Sequence, residues 1–395
     1  MIRVMLEGIG THEFATREGT DAEVRTLKPV LAVVAGGIYS GAERVLLRDL
    51  VSAQLRGCRV RIASSDGPLV TQARAHGIEH ISIPDLRLPD RRLVIALPLL
   101  TWRVIHAGIV LRSKLRLREI CIINGVNALT VVRLLRRRTP VLYFAHDVVV
   151  RSDRRMLLRS AANRIDIAVA VSDAVAAGLR TLNVRTETVY NGTQLSLARV
   201  DPDCDSPPII GIAGLLTPWK GQHVLLDAFA LLKNTGAQLE IMGGTLAKDS
   251  EYGTRLRVQV DRLGLRARVR FLGHRDDPVD VMRRWTIAVS ASTDPEGGPL
   301  VAIEAMSIGL PVVSSNHGGI TEILGGAGEL VAPGVAAELA EAIDAILDSP
   351  AKWAEHSRRG PEILKDLNLS VEAQSAHFLD VIDSAFRSDQ VATRT

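Results

Sequence analysis

Residues Asp294 to Gly319 read D-P-E-G-G-P-L-V-A-I-E-A-M-S-I-G-L-P-V-V-S-S-N-H-G-G, and the rest of the chain is organised around them. Two carboxylates, Glu296 and Glu304, stand with seven residues between them. Gly297 and Gly298 leave the backbone bare ahead of Pro299, which suits the first position of a helix because it has no N–H to leave unpaired. A loop of this kind at a helix start is an anion seat. From Leu300 to Ile308 the helix is apolar almost all round, so burial on every side is expected, with Glu304 in its second turn. An ionised Glu there costs on the order of several kcal/mol unless something bonds it, so a protein cation or a ligand's hydroxyls must be its partner. Gly309 and Pro311 close the helix, and P-V-V-S-S reads as the next strand. An ordinary strand-helix-strand unit with one internally paired Glu fits this stretch equally well.

Upstream, Ile209 to Ala213 opens an alternating series. Gly214-Leu215-Leu216-Thr217-Pro218-Trp219-Lys220-Gly221-Gln222 follows and leads into a helix over His223 to Leu232. Lys220 lies at that helix start, where cation and dipole would together hold an anion. Further strands fit Gln238 to Met242, Val269 to Leu272, Thr286 to Ser290, Pro311 to Ser314 and Glu329 to Val331. Asp276, Asp277 and Asp280 resemble a metal cluster on paper but read as capping residues of an exposed helix. Ser370 to Phe386 is a final amphipathic helix whose expected buried set is Ala373, Ala376, Phe378, Val381, Ile382 and Phe386.

The acidic, Pro-rich run Asp201 to Pro208 marks a domain boundary. Ahead of it, Pro29 to Ala35 is a strand running into Gly36-Gly37-Ile38-Tyr39-Ser40-Gly41 and a helix over Ala42 to Leu55. Strand, glycine loop and helix bring backbone N–H groups up to a phosphate or substrate, although the spacing matches neither the dinucleotide fingerprint nor a Walker loop. Strands at Arg59 to Ala63, His80 to Ile83, Ile120 to Ile123, Val141 to Ala145, Ile167 to Val171 and Thr186 to Val189 alternate with helices, giving a doubly wound sheet. Ligands bind such sheets at the carboxyl ends of strands. There His146 and Asp147 follow one strand, Ser172 and Asp173 read as a plain helix N-cap, and Tyr190-Asn191-Gly192 is a turn. The domain bounds are therefore an unplaced extension over 1–28, a first α/β domain over 29–200, a linker over 201–208, a second over 209–369, and a closing helix and tail over 370–395. Two such domains in tandem imply a cleft that suits a nucleotide-bearing donor on one wall and an acceptor on the other.

Composition agrees with this plan. The 395 residues are comfortable for two domains of about 150 to 200 each, and 47% hydrophobic content with 4% aromatics describes an aliphatic core of buried parallel strands. Cys58, Cys121 and Cys204 are too far apart for a disulfide framework or a zinc site and fit a reducing cytoplasm. Met1 to Lys28 lacks the pattern of a signal peptide. The apolar run Leu93 to Leu111 is broken by Arg103 and His106, so a long core helix is favoured over a membrane span. Residues 1–200 hold 30 Lys and Arg against 17 Asp and Glu, or +13, and the remaining 18 against 27 give −9, which sum to the net +4. The Arg-rich pieces Arg112 to Arg118 and Arg136 to Arg138 fit either an anionic membrane surface or acidic substrate, or a merely solvated face. Nucleic acid is disfavoured because no aromatic platform accompanies them.

In order and spacing, G-G-x3-G-A-E-R (Gly36 to Arg44), A-H-D (Ala145 to Asp147), V-S-D (Val171 to Asp173), N-G (Asn191, Gly192), P-W-K-G-Q (Pro218 to Gln222) and the Glu-x7-Glu module together resemble the family 4 retaining glycosyltransferases of the GT-B fold, over residues 29 to 386. That resemblance implies a C-terminal domain binding a nucleotide sugar. Glu296 would contact hydroxyls of the transferred sugar, Glu304 the ribose, and Lys220 the diphosphate, assisted by backbone amides of Gly298 and Leu300. The glycine loops at Gly37 and Gly214 join the donor-binding set, and His146 would reach the sugar from the other domain. The implied catalytic set is thus His146, Lys220 and Glu296, with no metal and no cofactor beyond the nucleotide-sugar co-substrate. The implied setting is synthesis of a cell-envelope polysaccharide or glycoconjugate in the cytoplasm or peripherally on the inner face of the plasma membrane, with a glycan, lipid-linked sugar or small molecule as acceptor. Two positions depart from the family pattern. Leu215 stands where an Arg is usual, which keeps a non-catalytic nucleotide-sugar-binding subunit as a rival reading, and Gly298 stands where a larger apolar residue is common, which bears on the shape of the donor pocket; a nucleotide-sugar epimerase on the same fold is a third reading.

Overall fold

The computed structural model describes residues 28–87, 93–195, 206–245, 250–275 and 277–386. Seven strands, β1 (Val30–Val34), β2 (Val60–Ser64), β3 (Glu79–Ser82), β4 (Ile120–Asn124), β5 (Val141–Ala145), β6 (Ile167–Ala170) and β7 (Thr186–Thr188), form one sheet in the order β3-β2-β1-β4-β5-β6-β7. Six more, β8 (Ile209–Ala213), β9 (Gln238–Met242), β10 (Val269–Gly273), β11 (Ile287–Ser290), β12 (Val312–Ser315) and β13 (Gly328–Val331), form a second in the order β10-β9-β8-β11-β12-β13. Every pairing is parallel. Central strands such as β1, β4 and β5 are buried at every residue, as their unbroken Val, Ile and Leu runs require of a sheet covered on both faces. Each sheet reverses its strand order beside its first strand, and at that point the glycine loops after β1 and β8 emerge. This is the two-domain GT-B architecture, and all thirteen strand expectations fall within a residue or two of the observed elements.

Two helices differ from expectation. The segment Leu93–Lys114 is one helix, but it is no core helix. Ala107 and Leu111 are buried on one side, while Leu99, Trp102, Ile105 and Ile109 are exposed on the other. Its hydrophobic residues surround the axis, so composition alone could not tell which side the domain covers. The closing helix is Val371–Ala385, and its buried face carries Gln374 and Ser375 beside Phe378, Leu379, Val381 and Ile382, whereas Ala373 and Ala376 are only half-buried. The polar pair is buried because the helix crosses back onto the N-terminal domain and meets the fully buried Asp49 of the helix Gly41–Leu55. Gln374 Nε2 donates to Asp49 Oδ2 at 2.8 Å and Ser375 Oγ to Oδ1 at 2.7 Å, while Arg48 donates to Gln374 Oε1 and, at 3.0 Å, to the carbonyl of Gly192. Phe378 packs on Phe144 with ring centroids 4.9 Å apart.

Burial pushes the Asp49 carboxyl up to about 7 despite these donors and Arg48. The unfolded chain ionises Asp49 near pH 4 and the native state only near pH 7. The site therefore favours the folded state most below pH 4 and loses that contribution as the pH rises to 7, by roughly 4 kcal/mol in all. Urea midpoints at pH 5 and pH 8 should differ more for the natural chain than for Asp49→Asn, and an identical difference in the two proteins would remove Asp49 from the account.

The extension over 1–27, linker residues 201–205, Asp276, Cys204 and the tail from 387 lie outside the described residues. Asp277 pairs with Arg275 at 3.2 Å and Asp280 with Arg283 at 3.6 Å, so these two acids face cations. Cys58 and Cys121 are buried free thiols.

Candidate active site in the interdomain cleft

The loop after β11 delivers Glu296 to the edge of the C-terminal sheet. Its Oε2 accepts from Lys220 Nζ at 2.6 Å, and its Oε1 from the hydroxyls of Ser292 and, at 3.4 Å, Ser290. Burial pushes this carboxyl up, yet Lys220, Ser292 and His317 outweigh burial and hold it below the ordinary range. Glu296 is therefore an anion at neutral pH. Lys220 sits in a single turn, Pro218–Lys220, ahead of the helix Gln222–Leu231 rather than inside that helix. Gly221 makes the joint, with φ of +70° and a backbone so close to the Ala291 carbonyl that a built Cβ would come within 1.8 Å of its oxygen. The Lys220 stem passes Gly214, whose missing Cβ would lie 3.7 Å from Lys220 Cε, and its ammonium stands 4.5 Å from the Trp219 ring centroid. The carbonyl of Leu215 accepts from Gln222 Nε2 at 3.0 Å.

Glu304 lies in the helix Leu300–Ser307, which is buried along most of its length. Pro299 is the residue that caps this helix rather than its first turn. The partner that Glu304 requires is a protein cation: Arg44 Nη2, on the first helix of the opposite domain, donates to its Oε1 at 2.7 Å. Burial still raises the Glu304 carboxyl, because Arg44 and Arg48 offset only part of the desolvation. A half-exposed cation from across the cleft thus meets a buried acid. Arg44 was quoted in the glycine-loop motif without a role, and only the demand of Glu304 for a cation pointed to it.

The two bare glycines have a packing reason as well as a chemical one. A Cβ on Gly297 would lie 2.0 Å from the His146 carbonyl oxygen and 2.8 Å from Val175 Cγ2, and one on Gly298 2.3 Å from Asn191 Nδ2. Asn191 Nδ2 donates to the Gly298 carbonyl at 3.2 Å, and Leu300 packs against Gly41 and the N-terminal core. The turn Tyr190-Asn191-Gly192 is consequently part of the domain contact. Beside it Glu322 caps the N-terminal helix Asp173–Arg180 from the other domain, accepting from the Asp173 and Ala174 amides at 2.9 and 2.7 Å. Ser172 caps the same helix through the Val175 amide.

On the N-terminal wall, His146 Nε2 lies 2.8 Å from Asn124 Oδ1. Burial pushes its pKa down to about 3, so the imidazole is neutral; the amide oxygen, which only accepts, assigns the ring proton to Nε2. Asp147 keeps contact with solvent. The enclosing walls, then Glu43, raise its pKa, Lys220 opposes them and Glu296 adds to the rise. Asp147 and Ala145 open onto a cavity of about 280 Å³ running between the helices Ser152–Ala161 and Asp173–Arg180, lined by Leu158, Val175 and Leu179 and flanked by Arg155 and Arg159. The backbone of Gly37 packs on the turn at Ser65 and Asp66, where a Cβ would meet the Asp66 carbonyl at 2.2 Å. The structure thus brings Lys220, Glu296, Gly214, Gly298, Leu300 and Glu304 to one edge of the cleft with His146 opposite. Their neighbours are Arg44, Asp147 and His317, which the quoted motifs contain without an assigned role, and Asn124 and Ser292, which lie outside those motifs.

The sequence profile for group 1 glycosyl transferases matches residues 200–362 and that for glycosyltransferase family 4 matches residues 39–197. The 2-deoxystreptamine glucosyltransferase of Streptomyces kanamyceticus is 29% identical over 223 residues, 48% of this chain and 56% of that one. The D-inositol 3-phosphate glycosyltransferase of Jonesia denitrificans is 35% identical over 121 residues, 29% of this chain. The matched stretches thus span 28% and 56% of these two relatives. Among solved structures, HepE from Anabaena in complex with UDP and glucose superposes with a TM-score of 0.75 at 26% identity, covering 91% of this chain and all of that one. With a profile on each domain and this architecture, the chain belongs to the group 1 and family 4 glycosyltransferases of the GT-B fold.

Proposed function

We propose that the protein transfers a sugar from a nucleoside diphosphate donor, seated on the C-terminal domain, to an acceptor hydroxyl presented by the N-terminal domain, with retention of anomeric configuration. The observation that carries this reading is the pairing of Lys220 with an ionised Glu296 in the loop that leads into the Glu304 helix, at a cleft whose far wall supplies His146 and Arg44. HepE, similar over its whole length, is a structure with UDP and glucose, and it supports a donor of that class here. Lys220 holds the diphosphate, Glu304 the ribose, and Glu296 the hydroxyls of the transferred sugar. The bond from the anomeric carbon to the phosphate oxygen breaks while one to the acceptor oxygen forms on the same face, and the acceptor proton passes to the departing phosphate. Glu296 is tied to Lys220 and Ser292 and is no free nucleophile. Lys220 and the adjoining helix start supply the positive charge a metal would otherwise bring, so a chelator leaves the rate unchanged. Asp147 and the cavity beside it orient the acceptor, with Arg155 and Arg159 favouring one that carries an anionic group. The implied setting is the cytoplasmic side of cell-envelope glycan synthesis with a hexose donor.

Two substitutions test the assignment. Glu304→Ala should raise the donor KM with a smaller effect on kcat, and Glu296→Gln should lower kcat with a smaller effect on KM, each by about tenfold or more. Nucleoside diphosphate release across a range of donor concentrations reads both, and natural values for both variants would remove this module from the site. Donor binding with neither transfer nor hydrolysis would favour the non-catalytic reading, which rests on Leu215. Conversion of the donor without an acceptor would favour the epimerase.

A further inference from the structure

The helix Leu93–Lys114 presents an apolar face that nothing among the described residues covers. Leu99, Trp102, Ile105 and Ile109 are 52%, 57%, 49% and 63% exposed. At about 100° per residue, Trp102 and Ile109 fall within roughly 20° of each other, with Leu99 and Ile105 some 60° to either side. Val104, Ala107, Gly108 and Leu111 turn the opposite way, and a Cβ on Gly108 would meet Leu134 at 2.5 Å, so that side is fixed against the domain. A Trp and three large aliphatic side chains, aligned on one outward face, are far from the scattered apolar exposure of an ordinary surface.

Charge identifies the occupant. On the same helix, Arg103 and Lys114 fall on one flank of the apolar face and Arg112 on the other, the placement that lets long cationic side chains reach anionic headgroups while the ridge between them enters the acyl boundary. The fold then adds cations distant in sequence. Strands β4 and β5 are neighbours in register, Cys121 opposite Val141, so the segments entering them, with Arg116 and Arg118 before one and Arg136, Arg137 and Arg138 before the other, emerge side by side at the end of the helix. Arg164 donates to the Arg136 and Arg137 carbonyls at 3.0 and 2.9 Å, which holds the second loop in place. Arg136, Arg137, Arg138, Arg112 and Lys114 are all exposed, and so is Leu117 at 86%. No helix among the described residues is long and apolar enough to cross a membrane.

We propose that this face, the Leu99–Trp102–Ile105–Ile109 ridge with the Arg112–Arg118 and Arg136–Arg138 rim, is a docking surface for an anionic lipid bilayer, on which the helix lies in the plane of the interface. It serves the N-terminal domain, whose carboxyl strand ends carry the cleft, and it places that domain against the lipid. Binding requires neither donor nor turnover, so it stands or falls separately from the transfer reaction.

The test is sedimentation of the full chain with vesicles of phosphatidylglycerol and phosphatidylcholine, against vesicles of phosphatidylcholine alone, at low and high salt. The natural protein should sediment with the mixed vesicles at low salt, weakly with the neutral ones, and less at high salt. Trp102→Glu/Ile109→Glu should lower binding to mixed vesicles about tenfold or more with an unchanged melting temperature, since both positions are exposed. Arg136→Glu/Arg137→Glu/Arg138→Glu, which leaves the apolar ridge intact, should lower it by a similar factor at low salt. Equal binding to both vesicle types, no binding to either, or natural binding by both variants would overturn the proposal. A dimer in solution that Trp102→Glu/Ile109→Glu dissociates would overturn it too, because the face would then belong to a second copy.

Discussion

Replacing Lys220 with Ala should reduce transfer, measured as nucleoside diphosphate released at saturating donor, by about 10²- to 10³-fold, the usual loss when a preorganised group facing developing charge is removed. Two effects act together. In the proposed reaction the departing diphosphate would lose the ammonium placed at a helix start, and Glu296 loses the partner 2.6 Å away that holds its carboxyl low. Burial is the largest influence on that carboxyl and acts upward, so without Lys220 the acid protonates more readily and its hydrogen bonds to sugar hydroxyls change character. The loss should therefore deepen as the pH falls from 8 toward 5, whereas the natural enzyme keeps Glu296 ionised over that range. His146, held neutral with a pKa of about 3, adds no titration near pH 6.5. A Lys220→Ala enzyme within tenfold of the natural rate would show that the positive charge at the diphosphate comes from elsewhere, with Arg44 the first group to test.

Gly297→Ala should be as damaging with a far smaller chemical change. The added methyl would lie 2.0 Å from the His146 carbonyl oxygen, a backbone atom that no rotamer change can move aside, so the loop and the N-terminal wall must separate. A displacement of about 1 Å at a reacting centre costs about 10²-fold, and the loop that moves carries Glu296 itself. Each sheet keeps its own core, so the melting transition should persist while kcat falls and the X-ray scattering radius grows. Natural activity in Gly297→Ala would mean that the seating of this loop on His146 is not needed for turnover.

Much of this was legible in the sequence, for identifiable reasons. The strands announce themselves because buried parallel strands need unbroken aliphatic runs, and β1, β4, β5 and β12 show them flanked by turn residues. The demand of Glu304 for a partner was equally plain, since a carboxylate in an apolar helix cannot be left alone. Its identity was not, because Arg44 is 260 positions away and nothing local marks it. Burial of Gln374 and Ser375 was hidden for the same reason: an amphipathic pattern scores them as surface residues, and only the return of the closing helix to Asp49 makes them core. The helix Leu93–Lys114 misled in the opposite direction, because apolar residues all round its axis describe a core helix as well as one that buries one side and offers the other. Gly297 and Gly298 read as bare amides for a ligand, while the distance to His146 and Asn191 that also demands glycine is a property of two domains together.

The central claim is that the edge formed by Lys220, Glu296 and Glu304 seats a nucleoside diphosphate sugar. Calorimetric titration of the purified chain with a panel of nucleotide sugars tests it most directly. The account predicts that at least one member binds, and that the same titration with Glu304→Ala shows affinity lower by tenfold or more. Binding unchanged in Glu304→Ala, or no binding by any member of the panel, would contradict it.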